Sequence, residues 1–203
     1  MEKEWRNRMR FIIDMVFVSA MTILIITFQI PEAVGNASEK EFLKVLFSQG
    51  SNLATFVISF LVIAVYWVKN LEYFGVIEKI DKTFVWMQLL YLIFIMLLPV
   101  ANLLFMLFPE GAGPRMLFSV LMILSGLIAY GGMYYAHRKN LLKKEFDFDY
   151  IKKFTKQLLS EPVIAAIAMG AAYINPYFWD AAFVLIPMVM VVSKKVKVKL
   201  AKR

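Results

Sequence analysis

The sequence predicts an all-α, polytopic membrane protein with six transmembrane helices and both termini cytoplasmic, a single domain over residues 1–203. Three observations carry this. Of the 203 residues, 61% are hydrophobic, against about 45–50% in soluble domains. Several runs of about 18 residues or more hold almost no charge, which is the length that crosses a hydrocarbon core. The basic residues also sort by connection. The N-terminal stretch holds four Lys or Arg, the second connection three, the fourth seven and the tail six, which is 20 of the 23 in the chain. An excess of cations marks the cytoplasmic side. The net charge of +8 therefore reads as topology and not as nucleic-acid binding.

Each element follows from local signals. The first span, Phe11–Ile30, begins after an arginine-studded start and is stopped by Pro31. It differs from a cleavable leader in its length, in carrying Asp14, and in ending Gln-Ile-Pro-Glu without a small-residue cleavage site. Ser38–Phe47 places Phe42, Val45 and Leu46 on one face, as an interfacial helix does. The second span is Ser51–Val68. The third is Phe84–Phe108, with a bend expected at Pro99. Pro109–Pro114 reads as a tight turn. The fourth span, Met116–Ala136, ends in an aromatic anchor from Tyr130 to Tyr135. The charged stretch His137–Glu161 should contain a short surface helix. The fifth span, Pro162–Ile174, and the sixth, Tyr177–Val192, are joined by Asn-Pro-Tyr-Phe and are short enough to suit a re-entrant hairpin as well as two crossings. The outer connections carry Glu32, Glu39, Glu41, Glu110 and Asp180, a mildly acidic face that draws cations. The inverted repeat common in transporters is not evident.

Composition narrows function. There are no cysteines and one histidine, His137. That rules out thiolate chemistry and a histidine-cluster metal site within the chain. No nucleophile, metal cluster or acid–base pair gathers in one place, so neither an enzyme nor a resident cofactor is expected. A secondary transporter would want an ionisable group near mid-membrane and broken helices; the sequence offers Pro99 and Pro187 but no midplane acid. A non-conducting membrane scaffold also fits the composition.

The first span carries the sharpest pattern. Met15, Ser19, Thr22, Ile26 and Gln29 recur at spacings of four and three, and fall on one stripe. Val16, Phe17, Leu24, Ile25 and Phe28 beside it are large and apolar. Such a stripe suits a face that meets copies of itself around a narrow axis. There, hydroxyl oxygens replace part of a cation's water, and Met and Ile side chains form a hydrophobic constriction. The same hydroxyls could instead bond their own helix backbone or a neighbouring helix. Asp14 lies one turn into the span. Arg8 precedes it by six residues, about 240° around a helix, so the two are expected to bind other helices and not each other. Trp67 has two readings, a headgroup anchor or a polar partner. His137 reads as an interfacial residue, and Gln88 and Asn102 as interhelix bonds. Gly126, Gly131 and Gly132 permit close helix approach. The Lys-rich tail suits anionic lipid headgroups at the cytoplasmic face.

Arg8-x-x-x-Ile12-Ile13-Asp14 resembles the R-x-x-x-F-S-D signature that opens the first span of the transmembrane protein 175 family, the lysosomal potassium channels and their prokaryotic relatives. Ser59–Trp67 resembles that family's second span, which ends in tryptophan. The connector Val76–Lys82, with Trp86 and Leu97-Leu98-Pro99, resembles the third. The likeness is good over 8–108 and weak beyond. It implies a prokaryotic membrane and a homotetramer with the first span of each subunit lining a central pore. It also implies K⁺ conduction without the usual Thr-Val-Gly-Tyr-Gly filter. The family's pore-facing positions map to Ser19, Thr22 and Ile26, so permeant K⁺ is expected near Thr22 and Ser19. Asp14 and Trp67 match members of the family's polar network. Ile12 and Ile13 replace its Phe and Ser, Ser19 replaces a usual Ile or Leu, and Asn70 replaces a frequent His. These departures point to Ile26 as the tightest apolar ring and Thr22 as the oxygen ring.

Overall fold

The computed structural model describes residues 2–27, 38–48, 50–109, 111–175, 178–179 and 182. Seven helices follow in order: α1 (Glu2–Thr27), α2 (Glu39–Ser48), α3 (Gly50–Val76), α4 (Lys82–Leu107), α5 (Ala112–Arg138), α6 (Phe148–Gln157) and α7 (Ser160–Ile174). Among the described residues, five helical stretches are long and apolar enough to cross a membrane; the fifth, Phe148–Ile174, runs through α6 and α7. The protein is an all-α integral membrane protein. The expected sixth span, Tyr177–Val192, lies largely outside the described residues, as does Gln29 of the polar stripe.

The first five expected spans lie inside these helices except at their margins, and the helices outrun them. Hydropathy registers only the apolar part of a helix, whereas backbone hydrogen bonding continues into the polar ends. α1 begins at Glu2 and α3 continues to Val76, so Lys69 and Glu72, read as loop residues, are helical. The turn after α4 is also tighter than expected. Gly111 N–H closes it on Phe108 O at 3.0 Å, and Gly113 and Pro114 belong to the first turn of α5. Proline is tolerated there because its missing N–H would have no helical partner. Pro99 sits inside α4.

α4 is the organising helix. Phe84, Gln88, Tyr91, Ile95, Leu98, Asn102 and Phe105 bury a stripe at spacings of three and four. α4 packs most extensively on α5, then on α1, while α7 packs on α5 and α3 touches both α1 and α4. Asp81 caps α4 by accepting from Phe84 N–H at 2.8 Å, and its second oxygen accepts from Tyr135 OH on α5 at 2.6 Å. Small residues allow the close packing: a Cβ on Gly126 would meet Pro162 Cδ at 2.6 Å, and one on Gly132 would meet Tyr73 OH at 2.6 Å. Gly131 is different, since a Cβ there makes only ordinary contact.

One end of the bundle is tied by backbone. α5 closes with Asn140 at φ 54, a left-handed position that asparagine tolerates. Leu141 N–H then returns to Ala136 O at 2.9 Å. Leu141 O accepts from Glu78 N–H at 2.8 Å, and Lys143 N–H donates to Val76 O at 3.0 Å. These bonds join the α3–α4 and α5–α6 connections. Arg6 reaches the same place from α1, donating to Ile77 O at 3.2 Å and Glu78 O at 3.3 Å.

Candidate functional site

α1 has two unlike faces. Met9, Ile13, Phe17, Ala20 and Leu24 form its buried seam, each 4% exposed or less. At about 100° per residue, the stripe of Met15, Ser19, Thr22 and Ile26 is centred roughly 150° away from that seam. Ser19 is half-buried and the other three are exposed, Ile26 at 75%. The protomer thus leaves largely uncovered the face on which the sequence placed oxygen and thioether groups. Thr22 OH donates to Val18 O at 2.8 Å. That bond uses the hydroxyl's proton and leaves its lone pairs available as acceptors. Backbone bonding and an outward oxygen are therefore compatible in the same side chain.

Asp14 accepts from Trp67 Nε1 at 3.0 Å, joining α1 to α3. Arg8 departs from expectation: it pairs with Glu4 one turn earlier on its own helix, at 2.9 Å. An i,i+4 acid–base spacing is a ready partner on any helix, and it wins here over an interhelix bond. His137 is exposed at the end of α5, with its ring 5.5 Å from Phe148. Gln88 Nε2 donates to Tyr73 OH at 3.4 Å, and Ser59 Oγ to Asn102 Oδ1 at 2.6 Å. Both amides bond across helices, as read from the sequence.

A second polar group escaped sequence reasoning. On the side of α3 away from Trp67, Lys69 forms an ion pair with Glu161 at the start of α7. Glu161 is 2% exposed. Tyr66, Asn70, Tyr73 and Tyr91 line a cavity of about 20 Å³ beside the pair, room for about one water molecule. Asn70 is buried in that lining. α3 is therefore held on one side to α1 and on the other to α7. Among the described residues no group of three His, Asp or Glu side chains gathers as a metal site would require.

Residues 8–99 match the model of the endosomal/lysosomal potassium channel TMEM175 family. A potassium channel of Streptomyces collinus is 31% identical over 86 residues, 42% of this chain and 40% of that protein. The chain thus spans about two fifths of the curated relative it matches. The crystal structure of a lysosomal potassium-selective channel TMEM175 homolog from Chamaesiphon minutus superposes with a TM-score of 0.75 at 17% identity, over 94% of this chain and 98% of that one. The likeness of fold thus extends well past the segment, residues 8–99, over which the chain is similar to the TMEM175 family.

Proposed function

We propose that the chain is a potassium-permeable cation channel of a prokaryotic cell membrane. Four copies assemble with their first helices around a central pore. Each subunit crosses the membrane six times with both termini in the cytoplasm, and the basic connections and tail lie against anionic headgroups. Thr22 and Ser19 supply oxygens to a partly dehydrated K⁺, while Ile26 and Met15 form apolar rings. Asp14, through Trp67, fixes the rotation of α1. No cofactor is needed, since the permeant ion is cargo. The observation that carries this reading is the uncovered stripe on α1 opposite its packing seam. One copy cannot enclose a path with one helix, so the stripe needs partners.

The test is flux in liposomes. Current should exceed what an alternating-access cycle can deliver, and its reversal potential should follow K⁺. Thr22→Val should lower the preference for K⁺ over Na⁺, and Ile26→Asn should raise conductance. A native mass measurement should give four subunits. Carrier-like turnover would favour a secondary transporter, and silence a non-conducting scaffold.

A further inference from the structure

The stripe does not stop at the apolar span. Glu4 and Arg8 fall on it too: together with Met15, Ser19, Thr22 and Ile26 they occupy a strip roughly 60° wide on α1. Their side chains are 62% and 77% exposed, and they pair at 2.9 Å. Asn7, Phe11 and Ile12 complete a shallow groove with them. Along the axis, Arg8 lies about 21 Å from Thr22, and Glu4 about 6 Å further out. In a hydrocarbon core about 30 Å thick, that puts the pair at the N-terminal mouth and outside the apolar interior.

We propose that Glu4 is a shield at the cytoplasmic mouth of the pore, neutralising a ring of Arg8 guanidiniums so that cations can enter from that side. The inference rests on the channel reading above. An exposed i,i+4 pair contributes only about 0.3–0.5 kcal/mol to stability, so its larger effect is on the field that a passing ion meets. Four unshielded arginines around a narrow entrance would repel K⁺, and four paired ones present no net charge. Glu4 lies outward of Arg8, so of the two an ion from the cytoplasm meets Glu4 first.

The experiment is current through purified channels in planar bilayers, with the cytoplasmic solution at about 10 mM or about 1 M salt, where the Debye length is about 30 Å or 3 Å. Glu4→Gln should reduce current entering from the cytoplasmic side roughly threefold at low salt, and Glu4→Lys should reduce it further. Both deficits should vanish at high salt. Arg8→Gln should restore current in the Glu4→Gln background. Reversal potentials under K⁺ and Na⁺ should match wild type in every variant, because the oxygen ring is untouched. If wild type conducts and Glu4→Gln equals it at low salt, or the deficit persists at high salt, the shield is overturned while the pore stands. If Arg8→Gln disrupts the tetramer by native mass measurement, Arg8 is an assembly contact and the shield is again overturned. If wild type passes no current, both readings fall together.

Discussion

Two groups of polar side chains sit within the membrane helices of this protein, and they are handled in opposite ways. Around Lys69 and Glu161, the charges, hydroxyls and amides of α3, α4 and α7 are turned inward and bonded to one another. On α1, Thr22 turns away from the core of the chain, with the apolar Met15 and Ile26 exposed on the same stripe, and the Thr22 proton is spent on its own backbone. A polar residue in a span is therefore not by itself a mark of a pathway. The inward group binds one subunit together. On the channel reading proposed above, the outward group becomes useful only when other copies arrive.

That contrast predicts large stability effects on one side and small ones on the other. The largest is expected for Lys69→Met, which strands the Glu161 carboxylate. Breaking a buried pair costs about 3–5 kcal/mol, and the partial exposure of Lys69, 19% for its side chain, favours the lower end. Thermal melting in detergent should show the loss, and Lys69→Met/Glu161→Leu should recover most of it. A Lys69→Met melt equal to wild type would mean the pair is solvated. Trp67→Phe removes a donor to a carboxylate, a bond worth about 1.5–3 kcal/mol. Its melt should fall near the lower figure, since Asp14 is only half-buried. Ser59→Ala removes one bond to Asn102 and should cost about 1 kcal/mol in the same assay. Thr22→Val should shift stability by no more than about 0.5 kcal/mol while lowering the K⁺ over Na⁺ permeability ratio. A strongly destabilised Thr22→Val would place that hydroxyl with the inward group and erase the contrast.

Much of this organisation was legible in the chain. The apolar runs, the basic connections and the proline stops located the helices, and an amide in a helix as apolar as α4 had to find a partner. Which partner was not legible: Ser59 and Tyr73 lie on another helix, and nothing local points to them. The Lys69–Glu161 pair was hidden for the same reason, and further because counting Lys69 toward a basic connection placed it outside the helix. Glu4 and Arg8 differ, since their spacing stood in plain view. The pair was missed because the motif arginine was expected to bind another helix. The stripe itself was found by periodicity alone, because a helix turns each residue by a fixed angle. Whether it faced inward or outward required the packing seam of Met9, Ile13, Phe17, Ala20 and Leu24.

The central claim is that Thr22 faces a water-filled passage shared by several copies. The chain has no cysteine, so one introduced thiol reports without background. Thr22→Cys channels in a bilayer should lose their current when a small, membrane-impermeant, thiol-reactive cation is added, and K⁺ should slow the loss. Ile93→Cys, exposed on α4, should keep its current. Unaltered current in Thr22→Cys beside a blocked Ile93→Cys would contradict the account.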